Sequence, residues 1–264
     1  MQQIELSNVS KVFRHGAGRT RSVLDGISFS VRPGEVVGLL GPSGCGKSTI
    51  LNIIAGLDTD YAGSVRIQGR PMHEQLGAGF RVSYVFQESR LLPWMTLAQN
   101  VAFALEAAGF DRGEWSRRTQ TVLEHVGLLE FKDYYPSQLS GGMQQRASIA
   151  RAFSVDPDIL LMDEPFSALD ELTARKLRQS LLDIWSKFRT TILFVSHNAF
   201  ESTFLADRIL VMGREPAGRI AEEIDLGAIT RPRQYDATQL FEHSKHVIRA
   251  LERHAVETPA ALPA

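Results

Sequence analysis

The nine residues Gly41-Pro42-Ser43-Gly44-Cys45-Gly46-Lys47-Ser48-Thr49 have the types and the spacing to hold a chain of phosphates. Gly44 and Gly46 permit backbone angles that residues with a Cβ avoid, so successive N–H groups can turn inward onto phosphate oxygens. Lys47 offers a point charge to the β and γ phosphates, and the Ser48 hydroxyl can ligate Mg²⁺. The alternative is a glycine-rich turn that binds nothing, and the flanks argue against it. Val36-Val37-Gly38-Leu39-Leu40 reads as a buried strand, and residues 50–55 carry apolar side chains at helical spacing. A helix opening near Lys47 adds the partial positive charge of its N-terminus. This stretch predicts a nucleoside triphosphate site.

Four further residues with usable chemistry follow apolar, strand-like runs. Gln87 follows residues 82–86, Asp163 and Glu164 follow residues 159–162, and His197 comes just after residues 191–195. Strands alternating with helices argue a mostly parallel sheet, whose ligands bind beyond the carboxyl ends of the strands. All four can therefore converge on residues 41–49. Asp163 is placed to hold Mg²⁺ directly or through water. Glu164 can orient or deprotonate a water aimed at the γ-phosphate, or else act only as a helix cap or salt-bridging acid. His197 is either a satisfied core histidine or a γ-phosphate sensor.

Ser140-Gly141-Gly142-Met143-Gln144 reads as a second anion cradle, a glycine pair opening a helix whose amides and Ser140 hydroxyl are free for phosphate. One ATP does not need two cradles in one chain. A head-to-tail pair of chains resolves this, each ATP lying between the 41–49 loop of one copy and the 140–144 turn of the other.

The elements that must position these groups follow from the patterning. Residues 4–13 and 23–31 read as two strands joined through a basic hairpin tip at residues 14–21, so an antiparallel sheet precedes the core. Residues 63–69 return as a short strand. From residue 91 to about 142 helical patterns dominate, with Thr96 capping a helix over 97–105 and an amphipathic helix over 115–126. Leu91, Leu92 and Trp94 lie in a loop, either tucked into local core or offered to a partner. Residues 172–188 read as helix and 208–212 as strand. A C-terminal helix is expected to turn Leu240, Phe241, Val247, Ile248 and Leu251 to one face, with disorder from about residue 256. His243 and His246 on that helix read as solvated surface rather than a metal site.

With 44% hydrophobic and 22% charged residues in 264, the composition is that of a globular protein. A net charge of −1 leaves no electrostatic footprint for nucleic acid. Cys45 is the only cysteine, so no intrachain disulfide forms, which suits a reducing compartment. The first residues lack the parts of a secretory signal, and no apolar stretch is long enough to span a bilayer. The expectation is a cytosolic chain whose membrane role, if any, runs through a partner.

Residues 41–49, Gln87, residues 139–144, residues 159–164, Ser167-Ala168-Leu169-Asp170 and His197, in this order, resemble an ABC transporter ATP-binding subunit. The resemblance runs from about residue 4 to 212. It implies an α/β fold, a P-loop NTPase core of mostly parallel sheet with an antiparallel β subdomain and an inserted helical subdomain. The cassette would occupy residues 1–234, with the helical part at about 90–150, and residues 235–264 would form a C-terminal helix and tail. The resemblance also implies ATP hydrolysis in a dimer of cassettes. Phe13 would stack on adenine, Gln87 would contact Mg²⁺ or water and relay to the membrane partner, and Glu164 would be the catalytic base. Asp170 would make a contact across the dimer, and His197 would be the γ-phosphate switch.

Phe86-Gln87, Leu91-Leu92-Pro93-Trp94-Met95-Thr96, Asn100-Val101, residues 165–170 and Arg231-Pro232-Arg233 are similar to the nitrate/sulfonate/taurine importer group. Asn198, where the family usually has aspartate, and Ser202, where alanine is common, depart from the pattern. The group implies import of a small anion such as an aliphatic sulfonate, taurine or nitrate. It further implies a membrane permease, a solute-binding protein and a peripheral location on the inner face of the membrane. An exporter or lipid-export ATPase shares every catalytic motif. Soluble ABC ATPases of DNA repair or translation carry a long coiled coil or a second cassette, and this chain has neither.

Overall fold

Val36, Val37, Leu39 and Leu40 are wholly buried, so their strand must be covered on both faces, as parallel sheets are. The computed structural model describes residues 2–15, 19–75, 79–214, 216–229, 231 and 233–254. The expected tail from about residue 256, the tip of the basic hairpin and Pro232 lie outside them. In chain order the elements begin with β1 (Ile4–His15), β2 (Arg19–Val31), β3 (Val36–Leu40), α1 (Lys47–Ile54), β4 (Ala62–Ile67), β5 (Arg70–Pro71) and α2 (Met72–Gln75). There follow β6 (Val82–Val85), α3 (Leu97–Ala107), α4 (Arg112–His125), α5 (Gly141–Phe153), β7 (Ile159–Asp163) and α6 (Glu171–Phe188). The last are β8 (Thr191–Val195), α7 (Ala199–Leu205), β9 (Arg208–Gly213), β10 (Arg219–Asp225) and α8 (Thr238–His254). Two compact units divide the chain.

The first unit comprises residues 1–32, 36–72 and 195–264. Its antiparallel sheet runs β2-β1-β4-β5, with Ile4 opposite Val31 on one side and Ile67 on the other. Ile4, Leu6, Val9, Leu24, Ile27 and Val31 form its buried face. In the same unit β3 pairs parallel with β9, and β10 pairs antiparallel with β9. Strand β10 has no counterpart in the sequence reading, because an edge strand carrying Arg219, Glu222, Glu223 and Asp225 lacks an apolar run. Helix α8 meets one expectation in part. Leu240 and Val247 of the expected face are buried, and Ser244 and Ala250 complete the stripe. Phe241 and Ile248 are exposed, each one position further round the helix from Leu240 and Val247.

The second unit comprises residues 33–35 and 73–194. Its strands β8, β7 and β6 are neighbours in that order, and β6 pairs parallel with β7 from Val82–Ile159 to Val85–Met162. Each long helix begins at a side-chain cap, which satisfies amides the helix itself cannot. Thr96 and Gln99 form a reciprocal capping box on α3, Asp111 caps α4, Ser140 caps α5 and Asp170 caps α6. The capping role of Thr96 is as the sequence predicts.

Asn100, 1% exposed, organises the loop ahead of α3. Its Oδ1 accepts from Leu92 N at 2.8 Å, and its Nδ2 donates to the carbonyls of Leu92, Met95 and Thr96 at 3.0–3.2 Å. Arg151 Nη1 donates to the same Oδ1 at 3.3 Å. Asn100→Ala orphans these backbone groups and is expected to destabilise the protein by about 3 kcal/mol, read as a lower urea midpoint at unchanged slope.

Candidate functional site

The phosphate loop lies wholly in the first unit, between β3 and α1. Gly46, with φ of 99°, ends the loop, and no side chain caps α1, so its first amides stay open for an anion. A Cβ on Gly46 would sit 2.4 Å from Leu24 Cδ2. Lys47 is 8% exposed, and its Nζ donates to Gly41 O at 2.8 Å and Pro42 O at 3.0 Å. The ammonium is therefore held against the loop by two carbonyls. Ser43, Gly44 and Ser48 are exposed, with Pro42 and Thr49 half-buried. Cys45 is buried beneath the loop, where burial pushes its thiol up against the pull of Lys47, so it stays a neutral packing group. Gly218, in the loop before β10, backs this arrangement, because a Cβ there would lie 1.9 Å from Cys45 O.

Phe13 is 38% exposed on β1. Its cross-strand partner is Arg21, whose Nη2 lies 3.7 Å from where a side chain on Gly44 would begin. The aromatic ring thus belongs to the strand pair that reaches the phosphate loop. Lys11 Nζ sits 4.9 Å from the Phe13 ring centroid and is tied to Asp58 Oδ1 at 2.8 Å. Burial alone would depress the Lys11 ammonium, but the hydrogen bond and charge of Asp58, with Asp60, outweigh it and raise its pKa.

His197 is exposed just beyond β8. Ser196 N bonds Leu39 O, two residues before Gly41, so within the first unit the histidine follows directly beside the end of β3. Both departures from the family pattern have local roles. Asn198 Oδ1 caps α7 by accepting from Glu201 N at 3.0 Å, as aspartate would. The fully buried Ser202 donates its hydroxyl to Asn198 O at 3.0 Å.

In the second unit Gln87, Asp163 and Glu164 come together. Gln87 Nε2 reaches Glu164 Oε2 at 3.5 Å. Glu164 has φ of 45°, a left-handed conformation that costs energy in a non-glycine residue and recurs at functional sites. Ser167 N and Oγ, at 3.2 and 2.9 Å, both bond the Glu164 carbonyl and hold that turn. Burial, and then the charge of Asp163, push the Tyr84 phenol far up.

The 140–144 turn differs from the sequence expectation. The Ser140 hydroxyl oxygen accepts from Met143 N at 3.3 Å, leaving only its proton to offer outward. Gln144 is spent internally, donating to Pro136 O at 2.9 Å and Leu139 O at 3.3 Å and accepting from Ser89 Oγ at 3.2 Å. A polar residue one turn into a helix next to unpaired carbonyls satisfies those first. Gln144 is thus a positioning residue here, with exposed Gly141 and half-buried Gly142 the approachable backbone. Asp170 Oδ1 accepts from Thr173 N at 3.0 Å, and hydrogen bonds from the Thr173 side chain first, then from its backbone, hold the exposed carboxyl below the usual range. Ser89 and Gly218 escaped the sequence pattern because each acts through a contact remote in sequence, with Gln144 and Cys45.

The residues suit Mg²⁺. Ser48 in the first unit and Asp163 in the second each offer a hard oxygen donor of the kind that this ion takes. The family model described as ABC transporter matches residues 24–167. The aliphatic sulfonates import ATP-binding protein SsuB 2 of Burkholderia cenocepacia is 42% identical over 246 residues, covering 92% of this chain and 88% of that one. SsuB of Bacillus subtilis is 44% identical over 199 residues, covering 75% and 76%. Among solved structures, the dimeric post-hydrolysis state of the ATP-binding cassette MJ0796 bound to ADP and Pi superposes with a TM-score of 0.77. It is 31% identical and covers 84% of this chain and 98% of that one.

Proposed function

This chain belongs to the ABC transporter family of ATP-binding proteins, and from that premise we propose that it is the ATP-hydrolysing subunit of an importer for aliphatic sulfonates. The single observation that carries the catalytic part is the loop geometry, with Lys47 held by the carbonyls of Gly41 and Pro42 and α1 opening without a side-chain cap. On this reading the loop amides and Lys47 take the β and γ phosphates, and Phe13 stacks on the adenine. Ser48, Gln87 and Asp163 would supply oxygens for Mg²⁺, and the ion when bound would neutralise phosphate charge. Glu164, oriented by Gln87, accepts the proton of the attacking water, and His197 senses the γ-phosphate. The turn of Ser140, Gly141 and Gly142 closes on the nucleotide of a second copy in a head-to-tail dimer, with Asp170 at that contact.

No helix among the described residues is long and apolar enough to cross a membrane. A permease, together with a solute-binding protein, supplies the passage, and the chain sits on the cytoplasmic face. The helical part of the second unit supports this. Leu91 is 8% exposed and belongs to the core, whereas Trp94 is 69% exposed. A cavity of about 500 Å³ opens between Ala98, Ala102, Trp115, Thr119, Leu129 and Lys132. An exposed indole and, separately, a groove on the same helical part each fit an apolar helix end from a membrane partner.

Growth tests the solute. Source cells lacking this chain are expected to grow on sulfate and to fail on ethanesulfonate as sole sulfur source. The wild-type chain restores growth, and Trp94→Glu, although soluble and hydrolysing ATP, does not. Undiminished growth of the deletion strain on ethanesulfonate would exclude the sulfonate reading.

A further inference from the structure

Arg233 is 4% exposed, and its guanidinium is surrounded by backbone carbonyls. Nη1 donates to Thr203 O at 2.7 Å, Phe204 O at 3.2 Å and Ala206 O at 2.5 Å, and Nη2 to Leu226 O at 3.2 Å and Ile229 O at 3.5 Å. Arg231 Nη2 donates to Leu205 O at 2.5 Å and to Asp207 Oδ1 at 2.8 Å, while Asp207 Oδ2 accepts from Val36 N at the start of β3. The Tyr235 ring stacks on Phe204 at 4.0 Å and lies 5.8 Å from Phe200. Two arginines and a tyrosine from one five-residue segment thus engage the last turn of α7, whose carbonyls the helix itself leaves without partners.

The other end of α7 adjoins the switch histidine. Asn198 N donates to Ser196 Oγ at 3.0 Å, Asn198 Oδ1 caps the helix, and Ser202 Oγ bonds back to Asn198 O. His197 sits between the two residues of that first contact. Seven residues make too short a helix to stand without outside support. Placing a second guanidinium beside Arg231 in a buried site is also costly. Burial first, and then the charge of Arg231, bring the Arg233 pKa down to about 10. Apolar residues anchor a helix without that cost. The arrangement therefore serves the placement of particular carbonyls.

We propose that Arg233, with Arg231 and Tyr235, is a positioning clamp that fixes α7 and through it sets where His197 stands relative to the phosphate loop. The inference rests on the reading of His197 as the γ-phosphate sensor. A positioning error of an ångström can cost a large factor in rate while leaving nucleotide affinity intact. A clamp that only anchored α8 would change stability and nothing else.

The test uses the full chain as wild type, Arg233→Met, Arg233→Lys and Tyr235→Leu, with His197→Gln and Lys47→Ala as references. In protein carrying ¹³C-labelled histidine, the His197 signal is assigned by its loss in His197→Gln. The expected result is a shifted or broadened His197 signal in Arg233→Met and Tyr235→Leu. With it comes a fall in kcat for Mg·ATP of roughly tenfold in Arg233→Met and a KM for ATP within about twofold of wild type. Arg233→Lys, which keeps charge and donors, should recover a large part of the rate. If Arg233→Met does not fold, Tyr235→Leu decides by the same signal and the same split. An unmoved His197 signal with wild-type kcat in folded variants overturns the clamp. Wild-type protein no more active than Lys47→Ala would instead overturn the ATPase reading on which the clamp rests.

Discussion

Lys47→Ala is expected to cut Mg·ATP turnover by roughly 10²–10³-fold or more, the scale of losing one preorganised group aimed at transition-state charge. The reason lies in the folded loop. Lys47 is buried against Gly41 O and Pro42 O, so its ammonium is already in place when the phosphates arrive and needs no reorganisation. Alanine leaves the backbone amides but removes the only charge that the loop residues 41–49 supply. ATP affinity should fall as well, because the β and γ phosphates lose a ground-state partner. The fold should survive, since the loop is also fixed by the packing of Gly46 on Leu24 and of Gly218 on Cys45. Phosphate release and ATP binding by calorimetry, alongside a thermal melt, separate these effects.

Glu164→Gln keeps shape and hydrogen-bonding capacity but removes the base, so turnover should drop by roughly 10²–10⁴-fold. ATP still binds through Lys47 and Ser48, and the second copy's Ser140, Gly141 and Gly142 still close on it. With hydrolysis blocked the pair should persist, and Mg·ATP should move the variant from monomer to dimer by light scattering while the wild type dimerises only transiently. Adding Ser140→Arg fills the approachable turn and should abolish that dimer with single-chain ATP binding retained. Glutamine at 164 also keeps the strained backbone position and the contact of Gln87, so a loss of rate reports the charge rather than the turn.

What the sequence made legible was local. The phosphate loop shows in a buried strand, a glycine pattern and a helix written consecutively. The acids at Asp163 and Glu164 show because they end an apolar run. The cap at Thr96 shows because its one partner, Gln99, lies three residues on. The rest depends on which neighbours a side chain meets in the fold. Asn100 is one polar letter in a helix until its four bonds to the preceding loop are seen. Gly218 carries no signal of its own, although it is the residue whose missing Cβ lets the chain approach Cys45 O. At residues 140–144 the glycine pair and the helix start are legible, but not that Ser140 Oγ accepts from Met143 N or that Gln144 donates to carbonyls of the preceding turn. Helix α8 shows the same limit, since amphipathic spacing finds Leu240 and Val247 but not that Ser244 and Ala250, rather than Phe241 and Ile248, complete the packed face.

Phosphate release from Mg·ATP by the wild-type full chain, run beside Lys47→Ala and Glu164→Gln at matched fold, tests the central claim most directly. Multiple turnover by the wild type, with both variants reduced to near background, is the predicted result. A wild-type rate equal to that of either variant would contradict the account.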